Sequence, residues 1–195
     1  LPRKFKIAIS GTREDRAVTW FHDIGLHLQE QNGEVGFRVI VGGGLGRTPI
    51  RGQIVREFLP WQHILTYCEA ILRVYNRQGR RDNAYKARIK ILVQALGVEA
   101  FSQLVEDEWA HIKDGPATLT QAEFDRVAAH FSAPAYEKLG TTEFPEEKAF
   151  KNWVDRNTSA HKVPGYSAVT LSLKKHGIAP GDITAEQMDA IATLA

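Results

Sequence analysis

Three short apolar runs separated by polar turns open the chain. They span residues 5–10, 24–29 and 35–41. Asn32-Gly33 lies between the last two runs, and an Asn-Gly pair flanked by apolar runs is a strong hairpin signal. The pattern therefore predicts three β-strands, of which the second and third form a hairpin.

From Pro60 the spacing of apolar residues changes to that of a helix. Apolar side chains recur every three or four positions from Ile64 to Tyr75, and Gly79 follows as a stop signal. Further helices are predicted over residues 83–96, 98–112 and 121–131, another strand over 166–173 and a last helix that begins at Thr184. Thr184-Ala185-Glu186-Gln187 is a capping-box pattern that opens the last helix. The fold class predicted from these elements is α+β.

The composition is that of an ordinary globular protein. The chain has 195 residues, of which 43% are hydrophobic and 25% charged, and its formal net charge is +2. No apolar run approaches the roughly 20 residues that a membrane helix needs, so no membrane partner is predicted. The single cysteine excludes an internal disulfide framework and fits a cytoplasmic location. The histidines show no metal-ligand spacing, and no protein-ligated metal is predicted.

Positive charge is concentrated in the first six residues. Arg3, Lys4 and Lys6 directly precede the first predicted strand. Alternate side chains of an extended segment share a face, so Lys4 and Lys6 are expected to point the same way. Two neighbouring ammonium groups repel each other unless an anion lies between them. The segment is therefore a candidate anion site, with a solvated strand face as the alternative.

A glycine-rich segment follows the third predicted strand. Residues 41–49 read Val-Gly-Gly-Gly-Leu-Gly-Arg-Thr-Pro. Glycine allows backbone N–H groups to turn toward an anionic ligand and approach it closely. The spacing matches neither the phosphate loop nor the dinucleotide fingerprint, so the indication of a nucleotide is weak. A flexible corner between strand and loop is the alternative interpretation.

A third cationic stretch covers residues 73–90. It carries seven cations against one acid, Asp82. Interleaved apolar residues near its end predict a helix whose basic side chains emerge beside a buried face. Such a stretch suits a ligand with several carboxylates or phosphates, or nucleic acid. Two other expectations are structural: residues 106–108 form a solvated acidic helix face, and Cys68 is a small buried thiol.

Several of these motifs, in this order, resemble the sirohaem-dependent sulfite and nitrite reductases. The matching segments are LPRKFK at 1–6, DIG at 23–25, GF at 36–37, VGGGLGRT at 41–48, GRRD at 79–82 and ARIK at 87–90. The resemblance covers roughly the first 113 residues, and the chain from residue 150 is similar to the opening of the family's second ferredoxin-like repeat.

The resemblance implies a six-electron reduction of a small oxyanion at a sirohaem coupled to a [4Fe–4S] cluster. Sulfite reduction in sulfur assimilation is the expected reaction and nitrite reduction the alternative, with ferredoxin or a flavoprotein reductase as electron donor. By this resemblance, Lys4 and Lys6 face the substrate and supply protons. The sirohaem carboxylates are then held by Arg3, the backbone of Gly43, Gly44 and Leu45, and the side chains of Arg47, Arg88 and Lys90.

The resemblance also implies a domain organisation. Residues 1–113 are expected to be part of a sirohaem-binding domain with a mixed sheet and packed helices. Residues 114–147 are expected to be a connector, and residues 148–195 the incomplete start of the second ferredoxin-like repeat. One cysteine cannot hold the cluster, so the chain is expected to be an internal piece of a longer enzyme and to be inactive alone.

Two other classes of function are left open by the residues themselves. The first is a non-catalytic module that binds an anion or nucleotide through the glycine-rich segment. The second is a nucleic-acid-binding domain that uses residues 73–90. Because only Tyr75 and Tyr85 are available there for base stacking, this class is the weakest and no nucleic-acid partner is predicted.

Overall fold

A computed structural model describes residues 2, 4–138, 140, 143, 145–173, 176–177, 179 and 181–194. The chain divides into two compact units, residues 1–132 and 133–195.

The first unit contains a four-stranded sheet in the order β1-β2-β3-β4. The strands are β1 (Ile7–Ser10), β2 (Ile24–Gln31), β3 (Glu34–Val41) and β4 (Gln53–Pro60). β1 runs parallel to β2, whereas β2, β3 and β4 pair in antiparallel fashion. The predicted mixed sheet and the hairpin at Asn32-Gly33 are confirmed.

β4 escaped the sequence analysis because its apolar pattern is irregular. Phe37 of β3 pairs with Leu59 of β4, and Val39 pairs with Arg56. The step of two residues in β3 is therefore matched by three residues in β4, which is a bulge in β4. A second such shift follows at Ile40. Bulges of this kind break the strict alternation that marks a strand in sequence.

Three helices cover one face of this sheet: α1 (Ile64–Gln78), α2 (Ile89–Leu96) and α3 (Val98–Ala110). The core between sheet and helices is formed by fully buried side chains that include Ile24, Leu26, Val39, Val41, Leu59, Tyr67, Ile71, Val74, Ile89, Phe101 and Val105. Ile24 and Leu26 share one face of β2 because side chains alternate along a strand. The unit ends with α4 (Gln121–Ala128), which has no buried residue.

The prediction that the second helix begins at residue 83 was wrong. The Asn83 side-chain oxygen Oδ1 accepts a hydrogen bond from the Tyr85 N–H, and the Asn83 main-chain carbonyl accepts one from the Lys86 N–H. Asparagine commonly diverts the backbone into turns by such local bonds. Arg88 is extended, with φ −139° and ψ 146°, and α2 starts only after it.

The second unit contains α5 (Lys148–Asn157), β5 (Thr158–Ala160), β6 (Ser167–Val169) and α6 (Ala185–Leu194). β5 and β6 pair in antiparallel fashion, and β6 is shorter than the strand predicted over 166–173. The capping box of α6 is confirmed, since the N–H of Gln187 donates to Thr184 Oγ1 and the N–H of Thr184 donates to Gln187 Oε1. No helix in the described part of the chain is long and apolar enough to cross a membrane.

Candidate anion site

Lys4 and Lys6 line one small cavity at the start of β1, and we call this cavity the lysine pocket. Its volume is about 120 Å³, and its lining residues are Lys4, Lys6, Phe21, His22, Asp23, Gly44, Leu45, Gly46 and Arg88. The structure therefore brings together five of the residues singled out in the sequence, namely Lys4, Lys6, Gly44, Leu45 and Arg88. Both lysines are exposed.

Arg88 and Asp23 both line the lysine pocket and form a buried ion pair with each other. Arg88 Nε and Nη2 donate to Asp23 Oδ1 at 3.1 and 2.9 Å, and Nη2 also lies 3.1 Å from Oδ2. The exposed fractions of the two side chains are 11% and 1%. Charge-assisted bonds of this geometry are among the strongest side-chain interactions. Within the described residues, Nη1 of Arg88 has no hydrogen-bond partner.

The glycine-rich segment forms one wall of the lysine pocket. Gly42 has a φ of +84°, a backbone conformation that favours glycine. A methyl group at Gly43 would lie 2.3 Å from the Trp20 carbonyl oxygen, so this glycine is required by close backbone packing and does not line the pocket. Gly44 and Ile50 exchange N–H···O bonds of 2.9 and 2.8 Å, which close the loop of residues 45–49. The Gly44 N–H is thereby already used.

Lys90 is placed behind this loop. Its side chain is buried, and Nζ donates to the Thr48 carbonyl at 2.7 Å, which holds the loop closed. Burial lowers the pKa of Lys90, and the charge of Arg88 lowers it further. Lys90 lines a neighbouring cavity of about 210 Å³ with Gly42 and Val93. The lysine pocket therefore does not include Lys90.

Arg47, which was also singled out in the sequence, does not line the lysine pocket. Arg47 is exposed in the loop and makes no ion pair or hydrogen bond with a described residue. Arg3 lies outside the described residues. Their proposed contacts with sirohaem stay predictions.

Asp23 is the pocket residue whose role the sequence analysis missed. It was noted within the DIG motif, but its carboxylate was not singled out. Besides Arg88, it accepts a hydrogen bond from the Lys6 main-chain N–H at 3.0 Å. The sequence did carry a signal, because Asp23 directly precedes the apolar residues that begin the second strand. An unpaired charge at such a position would be costly to bury.

Most arginines of the stretch 73–90 are paired. Arg73 and Arg77 donate to Glu108 on α3, and Arg80 pairs with Asp82. Burial opposes the ionisation of Glu108, but the hydrogen bonds from Arg73 and Arg77 outweigh it and lower the pKa of this carboxyl. These three arginines therefore already have carboxylate partners within the chain.

The expectation of a solvated acidic face at residues 106–108 was wrong for two of the three acids. Glu108 is buried, and Glu106 accepts hydrogen bonds from Arg56 at 2.7 and 2.8 Å and from the Tyr67 hydroxyl at 2.7 Å. Burial, together with the Glu106 carboxylate, raises the pKa of Tyr67. These acids join α3 to β4 and α1, which is a structural role.

The residues present do not fit an iron–sulfur cluster. A [4Fe–4S] cluster takes four thiolates, whereas the chain has one cysteine. Burial raises the pKa of the Cys68 thiol to about 12, so it is protonated at neutral pH. The described residues also contain no group of three or more His, Cys, Asp or Glu side chains placed to hold a metal ion.

The chain matches one protein family over this first unit. The family described as "Nitrite and sulphite reductase 4Fe-4S domain" matches residues 1–113. The chain therefore belongs to the nitrite and sulphite reductases, and the resemblance noted in the sequence is confirmed.

Relatives within the family are named either sulfite reductase or nitrite reductase. The chain is 39% identical over 114 residues to the sulfite reductase (NADPH) hemoprotein beta-component of Chromohalobacter salexigens, a match that covers 54% of this chain and 20% of that protein. It is 34% identical over 111 residues to the ferredoxin–nitrite reductase of Synechococcus elongatus, covering 56% of this chain and 22% of that protein.

A solved structure supports the fold. The NirA protein of Mycobacterium tuberculosis superimposes with a TM-score of 0.52 at 30% identity, over 60% of this chain and 21% of that protein. The predicted α+β class is confirmed. The chain spans about a fifth of the length of each of these three relatives.

Proposed function

We propose that the lysine pocket is the substrate-facing, cationic side of a sirohaem-dependent reductase site, and that its substrate is sulfite. The observation that carries this proposal is the placement of Lys4 and Lys6 on one cavity beside Arg88. Membership of the nitrite and sulphite reductases supports it. Nitrite is the alternative substrate, since relatives of both kinds match the chain.

The cations of the lysine pocket fit an anionic group with several carboxylates. Three cations line the cavity against one carboxylate, Asp23, and that carboxylate is paired with Arg88. Lys4 and Lys6 are therefore left with uncompensated charge for a ligand. Sirohaem carries carboxylates around its rim, and we propose that Nη1 of Arg88, the backbone of Leu45 and the exposed Arg47 contribute to holding them.

Lys4 and Lys6 would bind the oxyanion and supply protons to it. Each oxygen that leaves as water takes up two protons, and an ammonium group can give up a proton whereas a guanidinium effectively cannot. A cation fixed beside developing negative charge stabilises it far more in a dry site than in water. When bound, sirohaem coupled to the cluster would pass on to the oxyanion the electrons that the electron donor supplies.

The preference for sulfite follows from charge. Sulfite can carry two negative charges near neutral pH and nitrite carries one, so a second lysine beside Lys4 favours sulfite more. In nitrite-selective members of the family, the position matching Lys6 is typically asparagine, as the resemblance implies. Lys6 is then the residue that sets the substrate preference.

The test is Lys6→Asn in the full-length enzyme. Asparagine keeps a hydrogen-bond donor but removes the charge. We expect kcat/KM for sulfite to fall about tenfold or more, which is about 1.4 kcal/mol of transition-state stabilisation, while nitrite reduction is retained or improved. The measurement is the ratio of the two kcat/KM values at equal sirohaem content and with one electron donor.

Lys113→Asn is the matched control, because this exposed lysine does not line the lysine pocket. It should leave the ratio unchanged. An equal ratio in Lys6→Asn and the unmodified enzyme would contradict the role of Lys6, and the sulfite assignment would then rest on resemblance alone.

The rest of the assignment extends to the whole enzyme. We propose a cytoplasmic enzyme with ferredoxin or a flavoprotein reductase as electron donor. Residues 1–113 would belong to its sirohaem-binding domain, 114–147 to a connector, and 148–195 to the start of a second ferredoxin-like repeat.

A further inference from the structure

A carboxylate at the base of an anion-binding pocket needs an explanation. Asp23 lines the lysine pocket with its side chain only 1% exposed. A negative charge there repels an anionic ligand, and burying it costs free energy unless it is paired. Its presence is accounted for if it holds the cations of the pocket in place.

The contacts of Asp23 connect three segments that meet at the lysine pocket. Its carboxylate accepts from the Lys6 main-chain N–H and from the Arg88 guanidinium. Its main-chain carbonyl accepts from the Gly42 N–H at 3.0 Å, which ties it to the glycine-rich segment. Asp23 thereby links the segment before β1, which carries the two lysines, to the glycine-rich segment and to the segment before α2.

The backbone of Lys6 is held on both sides. Its N–H donates to Asp23 Oδ2, and its carbonyl accepts from the Ile24 N–H at 3.2 Å. The Lys6 ammonium, in contrast, makes no ion pair or hydrogen bond with any described residue. The main-chain contacts thus fix the point from which the Lys6 side chain leaves the backbone.

We propose that Asp23 is a positioning residue: it fixes the main chain of Lys6, and with it the Lys6 ammonium, beside the Arg88 guanidinium so that both face a bound oxyanion. The inference rests on the proposed function and deepens it. Asp23 touches neither substrate nor cofactor in this role and acts through Lys6.

The experiment is a double-mutant cycle between Asp23 and Lys6 in the full-length enzyme. The variants are Asp23→Asn, Lys6→Asn and their combination, with sulfite affinity read from the change in the sirohaem absorption spectrum on titration with sulfite. Sirohaem content per chain is measured in parallel. We expect Asp23→Asn to raise the sulfite Kd about tenfold in the unmodified background and by a clearly smaller factor in the Lys6→Asn background, where only its effect through Arg88 is left, because interacting residues are not additive.

Glu108→Gln is the matched control, since Glu108 is also a buried carboxylate paired with arginine but does not line the lysine pocket. It should lower thermal stability without changing the sulfite Kd. An equal rise of the Kd on Asp23→Asn in both backgrounds would overturn the inference, and so would a rise no larger than that of Glu108→Gln.

Two outcomes separate the inference from the proposed function. If Lys6→Asn itself leaves the sulfite-to-nitrite ratio unchanged, the substrate proposal fails. If Lys6→Asn shifts the ratio but the cycle shows no coupling, only the role of Asp23 fails. If Asp23→Asn does not fold, Asp23→Glu replaces it in the same cycle. Glutamate keeps a negative charge for Arg88 but displaces the oxygen that accepts from the Lys6 N–H. Absence of coupling between Asp23→Glu and Lys6→Asn overturns the inference as well.

Discussion

Replacing Arg88 by methionine should destabilise the first unit strongly. Methionine replaces the unbranched part of the side chain, lacks the guanidinium and therefore removes all three hydrogen bonds to Asp23. The Asp23 carboxylate, 1% exposed, would keep only the Lys6 N–H as a partner. Breaking one half of a buried ion pair typically costs about 3–5 kcal/mol, and because Arg88 is 11% exposed and water can reach it, we expect about 3 kcal/mol.

The measurement is urea unfolding of the 195-residue chain, followed by tryptophan fluorescence. Trp20, Trp61 and Trp109 lie in the first unit and report on its transition. In a thermal melt, at about 2–4 °C per kcal/mol for a chain of this size, the same loss corresponds to a fall in Tm of about 6–12 °C.

Arg80→Met is the control, because Arg80 pairs with Asp82 at the surface and both side chains are exposed. It should cost far less than Arg88→Met. The double variant Arg88→Met/Asp23→Asn should recover part of the loss, because it no longer buries an unpaired charge. Equal losses in Arg80→Met and Arg88→Met would refute the reasoning.

Three further outcomes are expected. The pKa of Glu108 is lowered in the folded chain, so the stability that this carboxylate contributes is present above pH 4.5 and is lost as the pH falls through the lower folded value. In Glu108→Gln, the free energy of unfolding should therefore fall less steeply on acidification, and an unchanged dependence on pH would contradict this. Because the pKa of Cys68 is about 12 against an ordinary 9.0, its thiolate fraction is about a thousandfold smaller, and a chromogenic disulfide should label it in urea but hardly in the native chain. The chain purified alone should lack the visible absorption of a [4Fe–4S] cluster, since it has one cysteine; stoichiometric iron would count against this.

The sequence alone was sufficient for features that depend on neighbouring residues. The hairpin at Asn32-Gly33, the end of α1 at Gly79 and the capping box at Thr184 all use contacts within a few positions. The alternation that places Lys4 and Lys6 on one side is equally local, and both residues do line one pocket. The family followed from the order of the motifs, which is likewise a property of the chain itself.

Only the tertiary structure decided which charges are paired. Arg88 and Asp23 are 65 positions apart, and Arg73 and Glu108 are 35 apart. No local pattern shows that one arginine is buried against a carboxylate while another is exposed. The position of Lys90 was not visible in the sequence either. The basic stretch suggested that Lys90 lies with Arg88 on one site, whereas its Nζ donates to the Thr48 carbonyl behind the glycine-rich segment. A charge is free to bind a ligand only when folding leaves it without a partner, and partners that are distant in sequence meet only in the folded chain.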